Sequence, residues 1–368
     1  MNNNKILNYI CEVNYPSTSA YSIHVAKMCD AFADKHYQVN LFTPFNSLKI
    51  NQFKKKYNLK NNINIISIFK NQQNLNFISR IIFSFKIIQI IKKKNIKNNF
   101  LSRSVVSSLI LSIYGYKNIL ELHHQLQGFT KYFYLFTKIL NLQKKISYIF
   151  LHKNLITKFI TNFNQKYLCL DDAVDISNFK LIKKNNKKYK KTCIYIGSFY
   201  PGKGIEIIKN LSERCKDISF HLYGDTSFIN KNFFRKKNVK IFNYIDYKDI
   251  PNVLSKYNVA LMPYQNKVYV RSKNLNVVKS MSPLKMFDYL ASKKIIVASK
   301  LKVYKHILKH NHNSILIKPN DHEKWANTIS KIFTKLKSYK KLRINSYETA
   351  KKYTWIKRAN IIEKKLIN

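Results

Sequence analysis

Ser282-Pro283-Leu284-Lys285 followed by Asp288 is a combination of residues able to hold a nucleotide. Ser282 is a good N-cap, Pro283 suits the first helical position, and Lys285 adds a cation in the first turn. The bare N–H groups and the positive end of the helix dipole would then face an anion. Asp288 falls on nearly the same helix face, so phosphate would meet the tip and ribose hydroxyls the carboxylate. The same residues also make an ordinary capped helix, and a second piece is needed. It comes upstream, in Gly197-Ser-Phe-Tyr-Pro-Gly202-Lys203-Gly204, a small-residue loop between a strand and a helix start. Its glycines allow tight turns and close backbone approach, and Lys203 can reach a phosphate. Gly202-x-Gly204 lacks the third glycine of a dinucleotide fingerprint, which argues against a dehydrogenase.

The elements that must position these residues follow from hydrophobic patterning. In the first half, strands are predicted at Lys5–Ile10, Gln38–Thr43, Ile63–Phe69 and Asn118–Leu122. Helices are predicted at Ser22–Asp34, Phe77–Lys94, Lys131–Leu142 and His152–Asn162. A lysine- and asparagine-rich stretch, Lys180–Lys191, reads as an exposed linker. The alternation then restarts. Strands are predicted at Thr192–Ile196, Ile218–Tyr223, Val239–Phe242, Val259–Met262, Ile295–Ala298 and Ser314–Ile317, with helices at Lys203–Leu211, Lys248–Lys256, Pro283–Ser292, Val303–Leu308 and Asp321–Thr334. Two doubly wound, parallel-sheet α/β domains are the expected architecture. Boundaries are expected at 1–175, a linker at 176–190, a second domain at 191–338, and basic helices at 339–368, with Trp355 as an anchor.

The formal charge of +49 invites a nucleic-acid partner. Only seven of the 67 basic residues are arginine, however, and the charge is spread along the chain, +20 over residues 1–170 and +29 over 171–368. That distribution lacks the arginine-rich patch of specific nucleic-acid recognition. Lys131–Lys166 interleaves seven lysines with aromatic residues and no acid, a composition suited to an anionic membrane surface or to a buried stripe with a solvated lysine face. No apolar run reaches membrane-spanning length, and the N-terminus lacks the pattern of a signal peptide. Five scattered cysteines without a CxxC pair suit a reduced, cytoplasmic protein.

Gly197-(x5)-Lys203-Gly204, Leu222-Tyr-Gly224, Asn243-Tyr-Ile245, Val259-Ala-Leu-Met-Pro263 and Ser282-Pro-Leu-Lys285-(x2)-Asp288-Tyr-(x)-Ala291 occur in that order. The series resembles the C-terminal half of retaining glycosyltransferases of group 1, the GT4-like proteins of the GT-B fold. Ser22-Ile-His24, Glu121-Leu-His123-His124 and Ala173-Val-Asp175-(x3)-Phe179 extend the resemblance over the first half. It implies two Rossmann-like domains facing a cleft, the first for the acceptor and the second for a nucleotide-diphosphate sugar. The terminal helices would pack back on the first domain. The implied activity is transfer of a sugar, with retention, to a lipid-linked or cell-surface glycan precursor, by a protein at the inner face of the cytoplasmic membrane. The alternatives are a nucleotide-sugar-binding protein without transferase activity and a sugar-nucleotide epimerase.

The resemblance also assigns residues. Lys203 would hold the diphosphate and offset charge on the leaving group. Asp288 would bind ribose hydroxyls, and His123 would contact the donor sugar near the reacting centre. Gly197, Gly204 and Gly224 would shape the donor loops, Ile245 would meet the base through its backbone, and Ser282, Pro283, Leu284 and Lys285 would form the helix tip. His24 and His124 are acceptor-side candidates; alternation along a strand points His123 and His124 to opposite sides, so one of them is structural. The family's arginine after the strand glycine is here Ser198, for which Lys285 or Arg271 would substitute. The first acid of its Glu-x7-Glu motif falls on Ser280. No Asp-x-Asp occurs, so no metal and no cofactor beyond the donor substrate is expected.

Overall fold

The strands form where β-branched and aromatic runs are short and bounded by polar turns, and most are buried on both faces, as covered parallel sheets require. The structure is a computed structural model, and it describes residues 5–160, 165–180, 191–227, 237–270 and 275–367. It divides into two compact units, Met1–Asp171 with Trp355–Asn368, and Asp172–Thr354.

The first unit contains β1 (Lys5–Ile10), α1 (Ala20–Ala33), β2 (Tyr37–Thr43), α2 (Ile50–Tyr57), β3 (Asn64–Ser67), α3 (Phe77–Lys93), β4 (Phe100–Ser102), α4 (Val105–Ile113), β5 (Asn118–Leu122), α5 (Gly128–Ile139), β6 (Ile146–Phe150), α6 (Ile156–Phe159) and β7 (Tyr167–Cys169). Its seven strands are parallel, in the order β3-β2-β1-β4-β5-β6-β7. The second unit contains α7 (Ser177–Lys180), β8 (Thr192–Ile196), α8 (Ile205–Arg214), β9 (Ser219–Tyr223), β10 (Val239–Phe242), α9 (Ile250–Ser255), β11 (Val259–Met262), α10 (Leu284–Ala291), β12 (Ile295–Ser299), β13 (Ile315–Ile317), α11 (His322–Thr334) and α12 (Lys340–Ala350). Its six strands are parallel, in the order β10-β9-β8-β11-β12-β13. The final helix, α13 (Trp355–Ile362), belongs to the first unit and packs on α1.

Both sheets reverse their winding once, between β1 and β4 and between β8 and β11. Doubly wound sheets bind ligands beyond the strand C-termini at such points. Those positions are Cys11, Glu12 and Arg103 in the first unit, and Gly197, Pro263 and Tyr264 in the second.

Two expected boundaries move. Residues 172–175 sit in the second unit, where the Asp172 N–H donates to the Ser282 hydroxyl at 3.1 Å and the Val174 N–H to the Tyr353 carbonyl at 3.0 Å. Residues 339–354 also stay there: the Ser346 hydroxyl donates to the Asn313 carbonyl and Arg343 Nε to the Lys293 carbonyl. Only the segment from Trp355 onward joins the first unit. The expected linker survives only in part, since Ser177–Lys180 is helical; residues 181–190 lie outside the described residues, as does the candidate Arg271.

Candidate functional site

The second unit brings two ammonium groups to one strand end. Gly197 follows β8 with φ +143°, and a Cβ placed there would meet Lys285 Nζ at 2.5 Å. The lysine head therefore lies on the glycine's backbone, and a larger residue there would be strained at this φ and would push the lysine head aside. Lys285 comes from the first turn of α10. That helix is tied to β8 because the Ile196 N–H donates to the Tyr289 hydroxyl at 2.9 Å, and residues four apart share a helix face. Lys285 Nζ is 3.8 Å from the centroid of the Tyr195 ring and 5.4 Å from that of Tyr264. Lys203 Nζ lies 5.3 Å from the same Tyr264 centroid. Gly204 (φ +90°) caps α8, and a Cβ on it would strike the Pro263 carbonyl at 1.8 Å, so the Lys203 loop is locked against the end of β11.

Lys285 Nζ is buried and has no hydrogen-bond partner. Burial, then the nearby charge of Lys203, hold its pKa well below the usual lysine range. Burial lowers that of Lys203 to about 8. Ring faces compensate part of this cost, and among the described residues no carboxylate pairs with either lysine, an arrangement able to take a dianion. The other sequence candidates surround it. Gly224 approaches so closely that a Cβ would lie 2.0 Å from the Gly197 carbonyl oxygen. Asp288 is buried and receives the Tyr247 hydroxyl at 3.5 Å. Ile245 is half-buried in the loop after β10. Ser282 does not cap α10: the N-cap is Pro283, which offers no side-chain bond, and the Ser282 hydroxyl receives the Asp172 amide instead. Leu284 is therefore the first helical residue.

In the first unit the sheet edge carries a buried polar hub. Glu121 Oε1 lies 2.6 Å from His123 Nε2, 2.9 Å from His24 Nε2 and 3.0 Å from Arg358 Nη2. The His24 ring packs edge-on against His123 and Trp355, at 4.9 and 5.1 Å between centroids. Burial alone would raise the Glu121 pKa, but Arg358, then the two imidazoles, hold it well below the usual carboxylate range. An ionised carboxylate only accepts, so His123, hydrogen-bonded to it, must donate through Nε2. The Nδ1 of His123 is left as a lone-pair acceptor. Burial, then the charge of Arg103, push the pKa of His123 down to about 3, so the ring is neutral at physiological pH. His124 is exposed and hydrogen-bonded through Nδ1 to the Gln125 carbonyl, the outward member of the pair. The ligating atoms of His24, Glu121 and His123 lie within 4.8 Å of one another, close enough for a metal. A cation there would have to displace N–H donors and face the Arg358 guanidinium, so the donor set suits a hydrogen-bonded hub better.

The family profile of glycosyl transferases group 1 matches residues 177–349. These residues belong to the group 1 glycosyl transferases. Among solved structures, a glycosyltransferase from Rickettsia africae is similar over 99% of this chain and 100% of its own, with 15% identity and a TM-score of 0.72. Anabaena Alr3699/HepE, solved in complex with UDP and glucose, is similar over 98% and 99%, with 14% identity and a TM-score of 0.71. WaaG, a glycosyltransferase involved in lipopolysaccharide biosynthesis, is similar over 97% and 99%, with 10% identity and a TM-score of 0.66. No curated protein sequence matches the chain. The fold is GT-B, two parallel-sheet α/β domains.

Within this segment, one departure from the usual pattern, Ser198, is linked to the lysine site. Ser198 is half-buried, and its carbonyl accepts the Tyr195 hydroxyl at 2.9 Å, which steadies the ring under Lys285. Ser280 is buried one turn before the helix tip and cannot supply a charge. Sequence reasoning missed Tyr195, Tyr264, Glu121, Arg358 and Arg103. Glu121 carried one usable signal: it is the only acid between Asp34 and Asp171, and it stands inside an apolar strand.

Proposed function

We propose that this protein is a retaining glycosyltransferase that moves a sugar from a nucleotide-diphosphate donor to a lipid-linked or cell-surface glycan precursor, without an obligatory metal. The convergence of Lys203 and Lys285 on Tyr264 carries this reading, because two desolvated cations suit the diphosphate of the donor and the charge that builds on it as the sugar leaves. Asp288 would take the ribose, and the Ile245 backbone the base. His123, with its Nδ1 acceptor, would meet a sugar hydroxyl. That HepE was solved with UDP and glucose, and that WaaG acts in lipopolysaccharide biosynthesis, supports the donor class and the acceptor class respectively. Donor turnover with chelator present is the test. Lys203→Ala is expected to lower kcat/KM by at least about tenfold, the loss of one charge-assisted hydrogen bond. If nucleotide binds but no donor is transferred or hydrolysed, the second reading, a sugar-nucleotide-binding protein, replaces the first; Ser198 and Ser280 are what favour it. Interconversion of free sugar-nucleotides would point to an epimerase.

The acceptor side also suits a membrane surface. α5 exposes Phe129, Tyr132, Leu135, Phe136 and Ile139, the last 82% exposed, next to Lys131. No helix among the described residues is long and apolar enough to cross a membrane. An apolar ridge with a basic flank fits the interface of an anionic bilayer. Co-sedimentation with phosphatidylglycerol vesicles at low salt is expected, reduced severalfold by Phe129→Asp with Phe136→Asp. Equal pelleting of wild type and variant, or none of either, removes the membrane assignment.

A further inference from the structure

Arg103 is the first residue past β4, where the first sheet reverses its winding. Its guanidinium carbon lies 4.0 Å from the centroid of the Tyr21 ring. Tyr21 is itself fixed: its hydroxyl accepts the Glu12 N–H at 3.2 Å and donates to the Arg103 carbonyl at 3.3 Å. The Nη1 of Arg103 is buried and unbonded. The neighbouring acids are already occupied. Glu12 holds Arg80 at 2.9 Å and accepts the Ser104 hydroxyl at 2.8 Å, and Glu121 holds Arg358. Among the described residues, no carboxylate pairs with Arg103. A planar donor fork, stacked on a ring and left without a counter-ion at a ligand-binding sheet edge, is matched to an oxyanion.

Resting on the assignment of the acceptor to the first unit, we propose that Arg103 binds an oxyanion carried by the acceptor, a phosphate or a sugar carboxylate, on the same sheet edge as His123. The field of Arg103 already reaches His123. An anion seated there would both anchor the acceptor and relieve the positive potential around that ring. Selectivity would favour phosphorylated or acidic saccharides over neutral ones.

The test reads the side-chain Nε–H signals of the seven arginines by nitrogen-15 NMR, with the Arg103 signal assigned by its loss in Arg103→Lys. Methyl phosphate and glucuronate are titrated separately into the unliganded protein, with sodium chloride at matched ionic strength as control. The Arg103 signal is expected to shift saturably with one of the two anions, while those of the ion-paired Arg80 and Arg358 stay in place. The anion that saturates identifies the acceptor's group. Arg103→Lys, tested by the response of the His123 ring, should bind that anion roughly tenfold more weakly. No shift with either anion, or a shift shared by all arginines and by the chloride control, overturns the assignment. Because this readout needs no sugar transfer, loss of the transferase reading and loss of the Arg103 site are separate results.

Discussion

Lys285→Met is expected to melt at a higher temperature than the wild type and to lose most of its nucleotide affinity. In the unliganded protein the ammonium is buried over Gly197 and between tyrosine rings, with no hydrogen-bond partner and Lys203 nearby. Methionine keeps the length of the side chain, its contact with the Tyr195 ring, and none of the charge. Removing a buried, uncompensated charge should stabilise the fold by about 1–2 kcal/mol. That is roughly 3–6 °C for a unit of this size. The same change removes the charge-assisted contact proposed for the diphosphate, worth about 1.5–3 kcal/mol, so affinity should fall about 10- to 100-fold. The pH dependence fixes the sign independently. A lysine whose folded pKa lies below its unfolded value costs stability in full below the folded pKa and recovers it as pH rises toward the ordinary lysine range. The advantage of Lys285→Met should therefore shrink in alkaline solution. Wild-type affinity should also weaken as pH passes about 8, where unliganded Lys203 loses its proton and binding must take one up. Differential scanning fluorimetry and calorimetric titration with a nucleoside diphosphate decide the matter. A variant that melts lower and still binds normally would show that the two lysines do not form an anion receptor.

Glu121→Leu should be the most damaging single change in the first unit. It leaves the Arg358 guanidinium buried without its carboxylate, orphans the His123 N–H and removes the charge beside His24. Removing one partner of such a pair typically costs about 3–5 kcal/mol, enough to lower the melting temperature by roughly 10 °C. Glu121→Leu with Arg358→Met should recover much of that stability, since no charge is then stranded. Activity should not return with it, because nothing would hold His123 as an Nε2–H tautomer. Full recovery of turnover in the double variant would reduce the hub to packing alone.

The fold was legible where chemistry is local. Asn118–Leu122, Thr192–Ile196, Val239–Phe242 and Val259–Met262 are strands with the expected bounds because each is a short apolar run between polar breaks. β4 and α4 were not separable in sequence: three strand residues pass almost directly into the apolar run Val105–Ile113, and periodicity has no room to declare itself. In the second unit, Gly197, Lys203 and Lys285 stand out in the sequence because each lies in a motif with turn or helix-start character. Tyr195 and Tyr264 do not, since an aromatic residue in or after a buried strand is ordinary core until a cation lies on its face. Arg358 is 237 positions from Glu121, and no local pattern links them. The Ser282 cap failed for a related reason: its hydroxyl is engaged by Asp172, 110 residues away.

The return of α13 to the first unit also sets an order of assembly. Synthesis delivers residues 5–171 first, but the guanidinium that neutralises Glu121 and the indole beside His24 come from residues 358 and 355. Until the second unit has left the ribosome, Glu121 and the two imidazoles of the earlier unit lack Arg358 and Trp355. The part made first is thus the part finished last, and a message cut short before codon 355 yields a protein whose second unit has all its residues while its first lacks the partners of Glu121 and His24.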